Sequence, residues 1–197
     1  MKKIRVAIIF GGKSAEHEVS LQSAGNVFDA IDREKYEPVL IGIDKAGKWL
    51  LNSNHDYFID ADSPEQISLN NSQNRITFAP ESNGKISSIE NRQHNGSIDV
   101  AFPILHGPMG ENGTVQGFLK LANIPFVGSS VLGSAVGMDK DVMKRLLRDA
   151  GIPIGKFLTL RDSEPIPGFS EVSSLLGSPF FVKPANMGSS VGGQQST

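Results

Sequence analysis

The amino-terminal part of the chain alternates between strand, glycine turn, helix and strand, and this order restricts the fold more than any other feature. Residues 4–10 form a short, β-branched apolar run that stops at Gly11 and Gly12. The apolar residues that follow recur at helical spacing: Leu21, Ala24, Val27, Phe28 and Ile31. Residues 39–43 form a second apolar run. Such a β-α-β unit predicts a parallel sheet with a right-handed crossover, so we expect a ligand site at the carboxyl end of the first strand, in residues 11–17.

The composition excludes several functional classes. The chain has 197 residues, of which 39% are apolar, enough for one large domain or two small ones. It has 19 basic and 21 acidic residues, and a net charge of −2 gives no overall attraction to nucleic acid or membranes. The absence of cysteine excludes thiolate chemistry and fits a reducing compartment. The apolar run at residues 6–10 is too short for an export signal, so we expect a cytoplasmic protein without nucleic-acid or membrane partners.

A second combination of strand, loop and helix lies in the middle of the chain. Residues 98–105 form an apolar run that predicts a buried strand, and residues 106–114 follow at its carboxyl end. The apolar spacing over residues 115–122 predicts a helix, with Asn112 or Thr114 as its N-cap. This loop, like residues 11–17, is therefore expected at the ligand-binding edge of the sheet.

Weaker signals predict the remaining elements. We expect an edge hairpin over residues 75–78 and 85–89, strands at 124–128 and 157–160, and a helix at 170–176. Asp139 is expected to cap a helix that ends before Gly151. Residues 128–137 are rich in Gly and Ser and predict a boundary between two domains, residues 1–128 and 129–197.

The loop at residues 11–20 lacks the three-glycine spacing of a dinucleotide fingerprint and carries acidic residues instead. Two interpretations of Glu16 and Glu18 are equally open. Both carboxylates can complement the dipole at a helix start, or one of them can face the cleft and hold a cationic group.

His106 ends a predicted buried strand and precedes glycine-rich backbone, which favours contact with an anion over a purely structural role. Glu111 is expected to orient its own loop. The histidines His55 and His94 lie in polar segments and are expected at the surface. Of these residues, His106 is therefore the candidate for chemistry.

The carboxy-terminal residues combine a lysine with a Gly/Ser loop. Lys183 directly follows the apolar residues 180–182, and a lysine at the end of a buried strand needs an anionic partner. The loop after it can aim backbone N–H groups at a phosphate. Lys140 and Lys144, by contrast, are spaced as a solvated helix face. These residues alone therefore predict a phosphate site at Lys183.

Four separated stretches resemble the D-alanine:D-alanine ligases, a family of ATP-grasp enzymes. The stretches are Gly-Gly-Lys-Ser-Ala-Glu-His-Glu-Val-Ser at residues 11–20, His106-Gly107 with Gly110-Glu111, Met138-Asp139-Lys140, and Lys183-Pro184 with residues 188–192. They occur in the family's order, although Asn112 stands where the family usually has aspartate. The resemblance implies an α/β fold with a Rossmann-like (pre-ATP-grasp) amino-terminal domain on a parallel sheet, followed by the incomplete first part of an ATP-grasp domain.

The resemblance implies ATP-dependent ligation of two D-alanines for peptidoglycan synthesis. In that family ATP phosphorylates the carboxylate of one D-alanine, and the amine of a second attacks the acyl phosphate. Glu16 would hold the ammonium group of the first D-alanine, and His106 would lie beside its carboxylate. Ser189 would hydrogen-bond Glu16 in a triad that a later tyrosine of the family completes.

The resemblance also implies contacts with the cofactor ATP. Lys140 and Lys183 would contact its phosphates, which reverses the interpretation of Lys140 as a solvated residue. Gly188 and Ser190 belong to the loop that would cover those phosphates. The family uses Mg²⁺ or Mn²⁺, but its metal ligands lie beyond the matched stretches, so we assign no metal ligand in this chain.

Three hypotheses follow from the resemblance and its gaps. After residue 192 the family continues as an apolar strand, whereas this chain has polar residues 193–197. The adenine pocket, the metal ligands and an arginine for the transition state have no counterpart, so we expect no ligase activity from this chain alone. The alternative is a non-catalytic binding or dimerisation module, with a homodimer through the amino-terminal domain implied only by analogy. A dinucleotide-dependent oxidoreductase ranks last.

Overall fold

A computed structural model describes most of the chain as two compact units. The described residues are 2–52, 58–59, 68–69, 74–91, 93–188 and 192–195. The first unit is Met1–Ser134 and the second unit is Ala135–Thr197. His55, Ser189 and Ser190 lie outside the described residues.

The elements are numbered in chain order. In the first unit they are β1 (Ile4–Gly11), α1 (His17–Ala30), β2 (Tyr36–Ile43), β3 (Trp49–Asn52), β4 (Phe58–Ile59), β5 (Ser68–Leu69), β6 (Ile76–Thr77), β7 (Lys85–Ser88), β8 (His94–Ser97), β9 (Val100–Ile104), α2 (Thr114–Leu121) and α3 (Val131–Met138), which runs into the second unit. In the second unit they are α4 (Lys140–Asp149), α5 (Phe169–Leu176), β10 (Phe181–Val182) and β11 (Gln194–Gln195). None of the helices in the described part of the chain has the length and apolar character needed to cross a membrane.

A mixed sheet with strand order β3-β2-β1-β9 forms the centre of the first unit. Strand β1 pairs in parallel with β2 and β9, and β3 pairs antiparallel with β2. The predicted β-α-β unit and the α/β fold are therefore confirmed. Because Gly11 lies opposite Ile43 and Phe10 lies opposite Ile104, the carboxyl ends of the three parallel strands meet at one edge.

Both faces of β1 are buried, which explains its uninterrupted apolar sequence. Successive side chains point to opposite faces of a strand. Ile8 and Phe10 accordingly pack against Leu21 and Ala24 of α1. The opposite face belongs to a larger core cluster: Ala7, Ile9, Val39, Ile41, Ile43, Ile76, Phe78, Ile86, Ile98, Ala101, Val115, Leu119, Ala122 and Ile124. The ligand-binding edge of the sheet is thus supported from both sides.

Strands β6, β7 and β8 form a separate antiparallel sheet that includes the predicted hairpin. Phe78 and Ile86 are buried in the larger core cluster. The Phe78 ring lies 6.3 Å from that of Trp49 and 6.4 Å from that of Phe118, measured between centroids. His94 is exposed, as expected, although it lies in β8 and not in a linker.

Polar contacts fix the start of α4 in the second unit. Asp139 caps this helix as predicted, since its Oδ1 accepts hydrogen bonds from the Asp141 N–H (3.0 Å) and the Val142 N–H (2.9 Å). The Asp141 carboxylate accepts from Arg145 Nε at 2.8 Å and from Thr159 Oγ1 at 2.5 Å. No described residue between 135 and 195 is buried.

Three predicted strands need correction. Phe181 and Val182 form a strand, but it is 60% and 59% exposed, because β10 pairs only with the equally exposed β11 within the described residues. Residues 124–128 make a single parallel bridge, from Phe126 to Ala101, since Pro125 has no N–H to extend the ladder. Residues 157–160 form no strand.

Two predicted loop features differ in detail from the structure. The Gly/Ser-rich segment predicted as a boundary contains the division between the two compact units, after Ser134, but it is largely helical in α3. The Ser130 hydroxyl accepts from the Gly133 N–H at 3.1 Å at the start of this helix. The N-cap of α2 is Gly113, with φ +92°, and not Asn112 or Thr114. Asn112 still satisfies the helix start, because its Oδ1 accepts from the Thr114 N–H at 3.1 Å.

Candidate active site

A cavity of about 380 Å³ lies in the first unit at the carboxyl ends of β1, β2 and β9. Its walls include Gly11 and Gly12 after β1, Ile43 at the end of β2, and Leu105 and His106 after β9. The remaining lining residues are Lys13, Ser14, Ala46, Gly47, Trp49, Pro108, Met109, Gly110, Thr114, Val115 and Phe118. The cavity therefore lies where open α/β sheets bind their ligands, as the sequence predicts.

Glycine is required where β1 leaves the sheet. Gly11 has φ +87°, and a β-carbon there would lie 2.3 Å from the Ile43 carbonyl oxygen. The same oxygen accepts a hydrogen bond from the Gly12 N–H at 2.8 Å. The loop of residues 11–16 thus starts in direct contact with the end of β2.

Two buried polar residues of α1 tie this loop to the sheet, and the sequence analysis did not single them out. His17 Nδ1–H donates to the Gly12 carbonyl oxygen at 2.8 Å. The Ser20 hydroxyl accepts from the Gly11 N–H at 2.8 Å and donates to the Ile104 carbonyl oxygen. Both residues lie on the apolar stripe of α1, since His17 is four residues before Leu21 and Ser20 is four residues before Ala24. That spacing was the signal that could have found them.

The two carboxylates at the start of α1 differ in their surroundings. Glu18 forms an ion pair with Lys45, with Oε1 2.5 Å from Nζ. The hydrogen bond from Lys45 lowers the pKa of Glu18 below its ordinary value, against a smaller opposing effect of burial. Glu16 instead lies against the loop that follows β9. A β-carbon on Gly107 of that loop would be 3.2 Å from Glu16 Oε2. Glu16 Oε2 therefore lies beside the backbone that directly follows His106.

The loop after β9 is ordered largely by its own residues. The Glu111 carboxylate accepts from the Gly107 N–H at 2.6 Å, and the Glu111 N–H donates to the Gly107 carbonyl oxygen at 3.0 Å. Gln116 Nε2 donates to the Gly110 carbonyl oxygen at 2.9 Å. These contacts agree with the expected role of Glu111 in orienting its own loop. His106 lines the cavity, and its Nε2 lies 3.3 Å from the Ser23 hydroxyl.

Lys140 and Lys183, which the resemblance assigns to the phosphates of ATP, both lie in the second unit. The Lys140 N–H donates to the Ala185 carbonyl oxygen at 3.0 Å, and Lys140 Nζ donates to the Met187 carbonyl oxygen at 2.5 Å. Lys183 Nζ lies 5.7 Å from the centroid of the Phe181 ring. Lys140 therefore leaves the solvated face predicted from its spacing and holds the turn that precedes Gly188.

Lys144 lies near an aromatic ring at the surface of α4. Its Nζ lies 5.1 Å from the centroid of the Phe157 ring, and Arg148 approaches the same ring at 5.9 Å. Asp141, three residues before Lys144, forms an ion pair with Arg145. Among the predicted cofactor residues, Ser190 lies outside the described chain, as does the predicted catalytic Ser189.

A metal site finds no support in the described residues. Within them, no three His, Cys, Asp or Glu side chains come close enough together to hold a metal ion. The Mg²⁺ or Mn²⁺ that the resemblance implies therefore does not fit any cluster of this part of the chain.

Comparison with known proteins decides the family. Residues 5–129 match the family model of the D-ala D-ala ligase N-terminus, and residues 146–197 match that of the D-ala D-ala ligase C-terminus. The chain belongs to the D-alanine–D-alanine ligase family. The family is the one expected from the four sequence motifs, so that expectation is confirmed.

Relatives of the ligase family resemble the chain over its whole length. D-alanine--D-alanine ligase A of Salmonella typhimurium is 54% identical over 194 residues, which cover 98% of this chain and 53% of the relative. The D-alanine-D-alanine ligase structure from Coxiella burnetii matches with a TM-score of 0.82 at 32% identity, over 100% of this chain and 55% of that one. The chain thus spans about half the length of the curated relatives it matches.

A third relative bears on the cofactor. The structure of D-alanine--D-Alanine Ligase from Bacillus anthracis complexed with ATP matches with a TM-score of 0.60 at 29% identity, over 93% of this chain and 48% of that one. A ligase of the same family therefore binds ATP, and the chain shares its fold over the matched residues.

Proposed function

We propose that the chain takes part in the ATP-dependent ligation of two D-alanines to D-alanyl-D-alanine, a step in the synthesis of peptidoglycan precursors. The observation that supports this most directly is the cavity at the edge of the sheet, which is lined by His106 and by Lys13 and Ser14 of the loop that carries Glu16. Glu16 Oε2 would lie 3.2 Å from a β-carbon on Gly107, the residue after His106. A carboxylate and an imidazole on adjoining loops suit a small zwitterion. The ligase names of the relatives supply the substrate.

In this proposal the first unit binds the first D-alanine. The Glu16 carboxylate holds the ammonium group, while the neighbouring Glu18 is occupied by Lys45. His106 lies beside the substrate carboxylate, where phosphorylation takes place. The Ser20 hydroxyl bonds both to Gly11, before the first loop, and to Ile104, before the second, so the acidic and imidazole groups need little rearrangement on binding.

The second unit holds the phosphates of ATP in this proposal, and ATP supplies the phosphoryl group that activates the carboxylate. Lys140 and Lys183 are the cations, and Gly188 with the two serines after it forms the covering loop. Lys140 Nζ now donates to a neutral carbonyl oxygen of Met187. A phosphate oxygen would be a stronger acceptor, because charge-assisted hydrogen bonds are about twice as strong as neutral ones. No step is assigned to a metal.

The domain division and assembly are part of the same proposal. The family models match residues 5–129 and 146–197, which supports a substrate domain at residues 1–128 and a partial ATP-grasp domain at residues 129–197. A homodimer through the first domain and a cytoplasmic location complete the proposal. Sedimentation equilibrium of the chain over a range of concentrations tests the dimer.

Two binding measurements test the assignment of substrates. We expect Glu16→Gln to weaken D-alanine binding by about tenfold or more and to leave ATP binding unchanged, since one charge-assisted contact contributes about 1.5–3 kcal/mol. We expect Lys183→Met to weaken ATP binding and to leave D-alanine binding unchanged. Both affinities are read by titration calorimetry or, for weak binding, by NMR shifts.

Matched controls come from the neighbouring charges. Glu18→Gln removes a carboxylate two residues from Glu16, and Lys144→Met removes a lysine four residues from Lys140. Glu18→Gln should change the affinity for D-alanine by no more than about twofold, and Lys144→Met should change the affinity for ATP by no more than that. Both side chains already have partners in the protein. Equal losses in Glu16→Gln and Glu18→Gln would contradict the assigned role of Glu16. A coupled assay of ADP release with D-alanine, ATP and magnesium tests separately the expectation that this chain alone does not turn over.

A further inference from the structure

Helix α1 reaches the segment that carries His106 at two successive points. Ser20 and Ser23 are three residues apart and therefore lie on one face of the helix. The Ser20 hydroxyl donates to the carbonyl oxygen of Ile104, at the end of β9. The Ser23 hydroxyl lies 3.3 Å from Nε2 of His106, two residues further on. The backbone before the imidazole and the imidazole itself are thus both held by α1.

The hydrogen-bond partners of Ser23 determine which atom carries the shared proton. The Ser23 hydroxyl donates to the Val19 carbonyl oxygen at 2.8 Å, and a carbonyl oxygen can only accept. A serine hydroxyl has one proton and can otherwise only accept. The hydrogen bond between Ser23 and His106 therefore needs its proton from the ring, at Nε2.

We propose that Ser23 is a positioning residue for His106, which holds the imidazole in the Nε2–H tautomer and leaves the lone pair of Nδ1 as the acceptor for a ligand in the cavity. Within the described part of the chain, no hydrogen bond to His106 Nδ1 is formed. The proposal rests on the proposed function only in making His106 a substrate contact. The tautomer itself exists without substrate.

This tautomer has a chemical consequence for the site. In the neutral ring Nδ1 can only accept a hydrogen bond, for example from an ammonium group, a hydroxyl or water. A carboxylate or phosphoryl oxygen has no proton to donate, so it can bind at Nδ1 only when the ring has gained a second proton. Ser23 thus determines that the neutral His106 ring offers a ligand at Nδ1 an acceptor and not a donor.

The ¹⁵N and ¹H spectrum of the histidine rings tests the proposal in the ligand-free 197-residue chain. The His106→Gln variant assigns the His106 signals among those of the four histidines. At a pH where the ring is neutral, we expect a protonated Nε2 and an unprotonated Nδ1. We expect the Nε2–H to exchange with water about fivefold to tenfold faster in Ser23→Ala, as for the loss of one hydrogen bond.

Two further variants separate positioning from a general effect on the helix. Ser23→Thr should restore the wild-type exchange rate, because a threonine hydroxyl in a helix can make the same backbone bond. Ser174→Ala removes an equivalent bond in α5, from Ser174 Oγ to the Ser170 carbonyl oxygen at 2.8 Å. It should leave the His106 signals unchanged.

The outcomes are distinct from those of the substrate experiments. A proton on Nδ1 of His106 in the wild-type chain would overturn the proposal, whether or not the Ser23 variants fold. An unchanged Nε2–H exchange rate in a folded Ser23→Ala chain would overturn it as well. A chain with the expected tautomer that failed to bind D-alanine would contradict the proposed function and leave the role of Ser23 intact.

Discussion

The two units of the chain support their candidate site residues in different ways. In the first unit, both faces of the sheet are covered, and the loops that carry Glu16 and His106 are tied to it by buried bonds of His17 and Ser20. In the second unit, no described residue is buried, and Lys140 donates to carbonyl oxygens of the turn before Gly188. The comparison indicates that the candidate residues of the first unit lie on loops held by a buried sheet, whereas the candidate residues of the second unit depend on local contacts.

The largest expected effect concerns the hydrophobic core. Phe10 is fully buried, so we expect Phe10→Ala to lower the free energy of unfolding by about 3–5 kcal/mol. Phe181 is 60% exposed in the second unit. Phe181→Ala should therefore change the free energy of unfolding by no more than about 0.5 kcal/mol. Urea unfolding followed by fluorescence reports on the first unit, because Trp49 is the only tryptophan and contacts the core. Amide hydrogen exchange provides the matching measurement for the second unit. Similar losses from both substitutions would remove the difference between the units.

Glycine substitutions sharpen the same comparison. Gly11→Ala should destabilise the chain by about 1–3 kcal/mol, because Gly11 has φ +87° and the added β-carbon would lie 2.3 Å from the Ile43 carbonyl oxygen. Gly137 lies in α3 with no atom within 4 Å of an added β-carbon. Gly137→Ala should stabilise the helix by roughly 0.5 kcal/mol. Circular dichroism during thermal unfolding measures both, and a stable Gly11→Ala protein would refute the close approach of β1 and β2.

Removing the N-cap of α4 tests whether the second unit can lose stability without an effect on the first. Asp139→Ala removes the acceptor for the Asp141 and Val142 N–H groups and should cost α4 about 1 kcal/mol. We expect the amides of α4 to exchange about fivefold faster with solvent, while those of β1 keep their rates. Faster exchange throughout both units would show that they unfold together.

The smallest expected effect is the pH dependence of the Glu18–Lys45 pair. The pKa of Glu18 is lowered in the folded chain, mainly by the hydrogen bond from Lys45, so the pair stabilises the fold above the ordinary value of 4.5. This contribution is lost as the pH falls through the lowered pKa. We expect Glu18→Gln to destabilise the chain at pH 7 by about 0.2–1 kcal/mol, as for exposed ion pairs. The difference from wild type, measured by urea unfolding, should disappear well below pH 4.5. A difference that persisted in acid would exclude the ion pair as its cause.

Features that depend on a regular spacing of apolar residues, or on hydrogen bonds between residues close in sequence, could be predicted from the sequence. The order of strand, glycine turn and helix at β1 and the cap at Asp139 are of this kind, because each depends on neighbouring residues. The position of the site also followed from the sheet, since ligands collect at the carboxyl ends of parallel strands. Long-range contacts could not be predicted in this way.

The corrected elements show why. The exposure of Phe181 depends on which strands cover it, and an apolar pair of residues carries no information about that. The bond between Lys140 Nζ and Met187 joins residues far apart in the sequence, so helical spacing alone suggested a solvated lysine. The roles of Glu16 and His106 stay predictions, and the contact between Ser23 and His106 appeared only when α1 was packed against β9.

The location of D-alanine binding tests the central claim most directly. In a ¹⁵N–¹H NMR titration of the 197-residue chain with D-alanine, we expect the largest amide shifts in residues 11–20 and 106–114, with smaller changes for L-alanine. The shifts should require an about tenfold higher D-alanine concentration in Glu16→Gln. Shifts confined to the second unit, or shifts that are unchanged in Glu16→Gln, would contradict the claim that the edge of the first unit's sheet binds the amino acid.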